Sequence, residues 1–592
     1  MKYPRLNGLQ KQRLWTEQFL GLDRRPRTYD GAFADMGNMT GDPWPLLSSR
    51  KKRGRVAELD EPRAMAGLGK LAWIDGDTLY FDGQATAIDD LSTAAAMLPK
   101  RIVTMGAYLL IFPDKRYYNT VDPTDTGSIE RLWSSEGDVS FSLCDMDGID
   151  YPAGKIHVSE TDPKNGTPAP AEGDFWLNTG NDPHTLSKLY DDEWIGVSSV
   201  YVKIACTGIG AGLKANDGVK ISGIEYSGDN DSLKKQLELL NNAGLAVAVD
   251  DDFIVTPGII DYAYTQETGT VRADRRMPEM DYVIECNNRL WGCRYGMQDG
   301  EMVNTLFASA LGDFKNWDKF MGTAMDSYYV AVGTQGPFTG AAVHRSSPYF
   351  FKERCVHKVY GEKPSNFQTQ VLECDGVRPG CADTIRAYNG VLYYVGSHSV
   401  EMFESLPEPV GQALGHKITA GAAGMLGAVY YLSGRDEEGK WSLYTFDTER
   451  RVWHRQDDSR VKAFAELGHE LYALEENGLI WTADGTSGTL EEEDVTWWAD
   501  SAVMGYEYPD HHYISRLLLR MSMGREADCE IAVQYDSDGL WRFKGRVQGT
   551  GKAGTYLLPV IPRRCGHLQI RLSGHGDIQL YGIARELAMG RE

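Results

Sequence analysis

The sequence predicts an all-β protein: a β-propeller of six to seven blades, interrupted by an inserted small, mostly-β domain and followed by a C-terminal β-sandwich. Three observations predict it. Short aromatic hairpins recur at a near-constant interval. Glycine and tyrosine are abundant, 64 and 31 of 592 residues, as a turn-rich β chain requires. The stretch 494–592 alternates apolar and polar positions, the mark of half-buried strands.

Residues 1–55 open the chain with 12 Lys/Arg against 5 Asp/Glu, whereas the whole chain carries a net charge of −23. The densest basic run is "SSRKKRGR" at 48–55. It reads as an N-terminal basic docking arm, with Arg50, Lys51, Lys52 and Arg53 contacting a neighbouring protein. Acidity elsewhere argues against a protein that grips DNA, because phosphate contacts need positive charge. "MKYPRLNGLQ" lacks the apolar core of a signal peptide, and no run of about 18 apolar residues is present, so synthesis and assembly in a cytoplasm are expected.

The repeat comes next. In "RAYNGVLYYVGSHSVEMF" (386–403), two strands flank an Asn389-Gly390 turn, the strongest short hairpin signal. Aligned on their aromatic dipeptides, Tyr349-Phe350, Tyr393-Tyr394, Tyr430-Tyr431 and Leu471-Tyr472 follow at steps of 44, 37 and 41 residues. Propeller blades repeat at roughly 40–50 residues, since one four-stranded sheet cannot bury both faces alone. Leu79-Tyr80, Leu109-Leu110 and Leu290-Trp291 read as more degenerate members. The propeller is thus discontinuous, 56–139 and 278–485. Trp291, Trp317, Tyr393, Tyr430, Trp453 and Tyr472 are its expected blade-packing residues, and "YTFDTERRVW" gives Trp453 a kelch-like setting.

Residues 140–277 interrupt the repeat with Pro-, Gly-, Asp- and Asn-rich segments and isolated tryptophans. One amphipathic helix is expected there, capped by Asp231 or Ser232, with Leu233, Leu237 and Leu240 on its buried face. In the sandwich, 494–592, Val533, Tyr535, Leu568, Ile570 and Leu572 should line the core, with a turn at Asp538-Gly539.

Motifs for chemistry are sparse. "GTGKAGT" (549–555) has the wrong spacing for a phosphate loop, and "TGIGAG" (207–212) lacks a strand-to-helix frame; both read as turns. "DDD" (250–252) and "SGDNDS" (227–232) lack the closing glutamate of a Ca²⁺ loop. Asp174, Asp191 and Asp192 near Trp176 and Trp194 are where a glycosidase carboxylate pair would lie. The Cys286/Cys293 and Cys374/Cys381 spacings are too wide for zinc and read as ordinary buried thiols. No cofactor and no metal are expected, and the chain reads as not an enzyme.

Three stretches carry a resemblance: "YVIECNNRLWGCRYG", "NTLFASALGDFKNWDKF" and "GPFTGAAVHRSSPYFFKERCVHKVYG". They contain an "NNRLWG" strand, a Ser309, Gly312, Asp313, Trp317 pattern and an "FFKE" strand, and "QYDSDGLW" and "LPVIPRRCGHLQIRLSG" add to them near the C-terminus. Together they resemble the propeller-containing tail-hub or nozzle proteins of tailed bacteriophages, best over 278–592. The resemblance implies a virion protein in a symmetric ring, a hexamer in nozzle types. It also implies contact with portal, adaptor or other tail proteins, and DNA that passes without specific contacts and is held until release. Asn287, Asn288 and Gly292 would form a blade hairpin turn, and Phe350, Phe351 and Lys352 would follow strand alternation. A second reading is receptor or carbohydrate binding at the tail tip, with Trp176, Tyr190 and Trp194 as a platform for a host surface glycan. A third is a kelch-like bacterial enzyme or glycan-binding module.

Overall fold

The computed structural model describes residues 11–88, 91, 99–152, 154–298, 300–483, 490–492, 495–505, 512–558 and 563–589. The protein is a β-propeller carrying an inserted domain and a C-terminal β-sandwich. Among the described residues, six sheets of four strands and one of five have the strand order of propeller blades. In chain order they lie at 62–85, 101–128, 282–331, 338–372, 386–409, 418–455 and 461–482; blades 1 to 7 below follow that order. Blade 7 takes its fourth strand, Gly54–Glu58, from some four hundred positions upstream in the chain, and Leu490–Glu491 pairs on the far side of it. Among the described residues no helix is long and apolar enough to cross a membrane.

The first two strands of most blades meet in two-residue turns whose positive φ matches the twist of the flanking strands. Blade 5 uses Asn389 (φ 47) and Gly390 (φ 74), and blade 3 uses Asn287 (φ 52) and Asn288 (φ 59). Gly292, expected in that turn, instead sits inside strand Arg289–Gln298, where a Cβ would run into the Met280 sulfur. The dipeptides of blades 4 to 7, and those at Leu109 and Leu290, occupy second strands as the spacing predicts. Leu79-Tyr80 is one strand out: it lies on the third strand of blade 1, and the second, Lys70–Asp75, has no such dipeptide.

The chain divides into two compact units, 1–114 with 336–358 and 370–592, and 115–335 with 359–369. In the first, the inner strands of blades 2, 1, 7, 6, 5 and 4 neighbour one another in that order. Trp453 stacks on Phe446 at 4.6 Å and donates its indole N–H to Val410 O beyond the end of blade 5, which ties two blades together. Tyr430 reaches Thr384 O in the same manner at 2.8 Å, and its ring lies 5.9 Å from Tyr393. Tyr472 is half-buried and bonds Glu470.

The basic arm is not an arm. Strands Lys11–Thr16, Met39–Thr40 and Leu47–Ser49 join a sandwich sheet with Ile578–Met589, His512–Met523 and Ala553–Leu558. Phe33–Gly37 joins the other sandwich sheet beside Thr496–Ser501. These strands carry too much apolar surface to stay free: Phe33, Met36, Met39 and Leu47 are all at most 2% exposed. They share one core with Val533, Tyr535, Leu568, Ile570 and Leu572 and with the tyrosines of blades 4 to 6. About 25 cal/mol per Å² of apolar surface drives that burial.

In the second unit, 139–274 folds around its own core of Phe141, Leu177, Val202, Ile204 and Ile254. The helix Asp231–Leu240 buries Leu233, Leu237 and Leu240 as expected, but its cap is Asn230, whose side chain accepts from Leu233 N at 3.1 Å. Short bridges, Arg131 with Arg275 and Ser134 with Arg272, pair the chain entering this domain with the chain leaving it.

Candidate functional site

The basic run 50–53 splits by direction. Lys51 and Lys52 are exposed, whereas Arg50 and Arg53 are 7% and 5% exposed. Arg50 makes a two-pronged bond to Glu492 (2.6 and 2.9 Å) and reaches Asn38 at 2.7 Å. Arg53 pairs with Asp457 at 2.7 Å, bonds Gln456 and lies 3.9 Å over Trp481. Burial alone would push the Asp457 and Glu492 carboxyls up, yet the two guanidiniums hold both below their ordinary values. These arginines therefore fasten the chain to itself, and the expected docking contacts of Arg50 and Arg53 are corrected accordingly.

In the inserted domain, Trp176 and Trp194 come together, with ring centres 5.6 Å apart. Their indole N–H groups bond Ser159 O (3.1 Å) and Asp162 (2.8 Å), so the pair fastens the loop after strand Ile156–Ser159. Tyr190 does not join them. Strand alternation from Leu189, the partner of Trp194, turns Tyr190 to the opposite face, where it is 64% exposed. The three carboxylates do not assemble either. Asp174 accepts from Ala171 N (2.8 Å) and His157 (3.2 Å), contacts that hold it below the usual carboxylate range. Asp191 and Asp192 are exposed turn residues at φ 49 and 61.

The glycine and acidic motifs answer each other. Arg131 takes the carbonyls of Gly208, Ile209 and Ala211 as acceptors, so the "TGIGAG" loop presents oxygens, not amides, to its arginine. Asp252 caps Gly208 N at 2.8 Å, and Gly210 N donates to Asp251 O, which makes "DDD" the other half of the same turn. "GTGKAGT" connects strands Arg542–Gln548 and Ala553–Leu558. None of the nine cysteines, all of them among the described residues, forms a disulfide.

The segment Ser309–Trp317 folds into a loop with one evident role. Gly312 adopts φ 73, Asp313 caps Lys315 N at 2.9 Å, and Trp317 is buried with its N–H on Phe314 O. Asn316, 1% exposed, then bonds Asp217 and Gly218 N of the inserted domain, and Asp217 is paired with Arg275 at 2.6 Å. The loop is a clamp between blade 3 and the insertion. Trp291, 3% exposed, packs on Phe367 at 5.2 Å.

Sequence reasoning missed one surface. The sandwich carries a polar cleft of about 480 Å³ lined by Trp498, Asp528, Glu530, Arg546, Arg571 and Ser573, among others. Its residues come from four strands of the sandwich that only register brings side by side, so only the "TWW" at 496–498 hints at it.

No protein-family model matches the sequence, and no curated protein matches it. Solved structures similar to it, β-propellers among them, match over about half of this chain. Hsv2 from Kluyveromyces lactis is 12% identical, with 52% of this chain and 95% of that one covered and a TM-score of 0.23. A glycoside hydrolase is 11% identical, covering 51% and 96%, with a TM-score of 0.20. A family 43 arabinoxylan arabinofuranohydrolase from Bacillus subtilis, solved with cellotetraose, is 9% identical, covering 52% and 95%, at 0.15. The expectation that the chain is not an enzyme is withdrawn, because two of these similar propellers are glycoside hydrolases. Likeness at this level concerns the fold and assigns no activity.

Proposed function

We propose that the protein is a virion component of a tailed bacteriophage, a building block of the tail hub or nozzle through which DNA passes and which helps retain the packaged genome. One observation carries the reading. The stretches that resemble tail-hub proteins are the ones that build blade 3 and blade 4: the Asn287-Asn288 turn, the Ser309–Trp317 clamp and the buried strand Ser347–Lys352. What is shared is therefore a hairpin turn, a loop and a buried strand of propeller blades. The net charge of −23 supports the same role, since like charge keeps a passing duplex from adhering. In this reading copies assemble as a symmetric ring, a hexamer, against portal, adaptor or tail neighbours, and the protein resides in the virion.

The test is immunogold electron microscopy of tailed particles with an antibody against the sandwich. Label in a ring between portal and tail tip is the expected outcome; particles that lack the protein would sink the reading. A receptor-binding role at the tail tip is the second reading, supported by the half-exposed Trp176–Trp194 pair. Label confined to the distal tip would favour it.

A further inference from the structure

One face of the sandwich sheet formed by Phe33–Gly37, Thr496–Ser501, Leu568–His575, Asp528–Tyr535 and Arg542–Gln548 carries a row of polar side chains in register. Trp498, Ser573, Glu530 and Arg546 stand side by side across four strands. Asp500 and Arg571 stand together in the next row. Opposite Trp498 is Gly37, where any Cβ would run into the indole, so the strand leaves space for that ring. Trp498 is half-buried and presents part of its surface to the cleft.

Both arginines of the cleft are already paired. Arg571 makes two bonds of 2.6 Å to Asp500 and lies 4.3 Å over Trp541 and 5.6 Å from Trp498. Arg546 bonds Asp528 through Nε at 2.7 Å, and Asp528, 4% exposed, also accepts from His575 N at 2.9 Å. Against Arg546 and Arg571 stand the Asp528, Asp500 and Glu530 carboxylates, so no positive charge is left over to recruit an anionic ligand. What remains for a ligand is an indole surface ringed by outward N–H donors, the Ser573 hydroxyl and the Glu530 carboxylate, which is 48% exposed. Bidentate polar groups around an aromatic face suit a ring that is apolar on its C–H side and hydroxylated at its edge. The volume of about 480 Å³ lies within the range of small-ligand sites.

We propose that this cleft binds a neutral saccharide, with Trp498 as the stacking surface and Glu530, Ser573 and Arg571 as hydrogen-bonding groups. The inference stands on the cleft alone and does not rest on the tail reading.

The full chain is applied to an array of neutral and acidic oligosaccharides, and the best neutral one is titrated by intrinsic tryptophan fluorescence. Binding of a neutral saccharide is expected, weakened at least tenfold by Glu530→Gln and by the cleft-filling Ser573→Trp, with the melting temperature unchanged. Trp498→Ala should abolish it, and the two milder variants keep the test valid if that one does not fold. The paired change Trp176→Ala, Trp194→Ala in the inserted domain should leave binding intact. The proposal is overturned if no neutral saccharide binds, if only acidic ones do, if both cleft variants bind like the parent, or if the inserted-domain change is the one that removes binding.

Discussion

Arg53 and Lys51 lie two positions apart in sequence, one buried and one exposed, and a composition count cannot tell them apart. Arg53 is enclosed by Asp457, Gln456 and Trp481, partners roughly four hundred positions downstream. Removing one partner of a buried pair leaves the other charge unsolvated, so Arg53→Ala should cost about 3–5 kcal/mol in urea denaturation. Lys51→Ala, on the solvent side, should change stability by no more than about 0.5 kcal/mol. His454 offers a second measurement. It is 4% exposed, its Nε2 has no partner, and burial pushes its pKa down to about 4. The folded state therefore keeps it neutral while the unfolded chain protonates it below its ordinary value of about 6.5. Stability should fall as pH drops from about 6.5 to 4, and His454→Leu should remove up to ~1.4 kcal/mol per pH unit from that slope. Asp457 and Glu492 act lower on the scale: their contribution is present above the ordinary carboxylate range and is lost as pH falls through their depressed values.

At the level of strands, the sequence announces what is local and hides what is not. Asn389-Gly390 makes its turn because both positions require positive φ, and the dipeptides of blades 4 to 7 land on second strands because a buried strand centre wants aromatic bulk. Blade 1 slipped by a strand because Lys70–Asp75 carries its bulk as a lone Trp73. In sequence the N-terminal strands look like an arm because their partners, Thr496–Ser501 and Ile578–Met589, lie at the far end of the chain. The cleft was invisible for the same reason, as Trp498 meets Ser573 and Glu530 only through register. Gly478 tests the closure of blade 7. It sits at φ +92 with a Cβ directed into the Leu59 carbonyl, and its own C=O accepts from Leu59 N. Gly478→Ala should cost about 1–3 kcal/mol or more, read as a lower urea midpoint with early protease cleavage near residues 50–60.

For the molecule as a whole, charge sets the terms of assembly. Copies at −23 repel one another, and screening shortens that repulsion from about 10 Å at 0.1 M salt to ~3 Å at 1 M. If copies form the proposed ring, mass photometry should find more ring-sized species as salt rises, whereas a ring held by surface ion pairs would dissociate. The weaving of Lys11–Thr16 against Ile578–Met589, together with the loan of Gly54–Glu58 to blade 7, has a consequence in time. A ribosome adding about 5–20 residues per second takes roughly 30–100 s to travel from the first of those strands to the last. Throughout that interval the opening strands are in the cell with their apolar faces uncovered and their partners not yet made. Until the later partners are made, those strands can complete neither the sandwich nor blade 7.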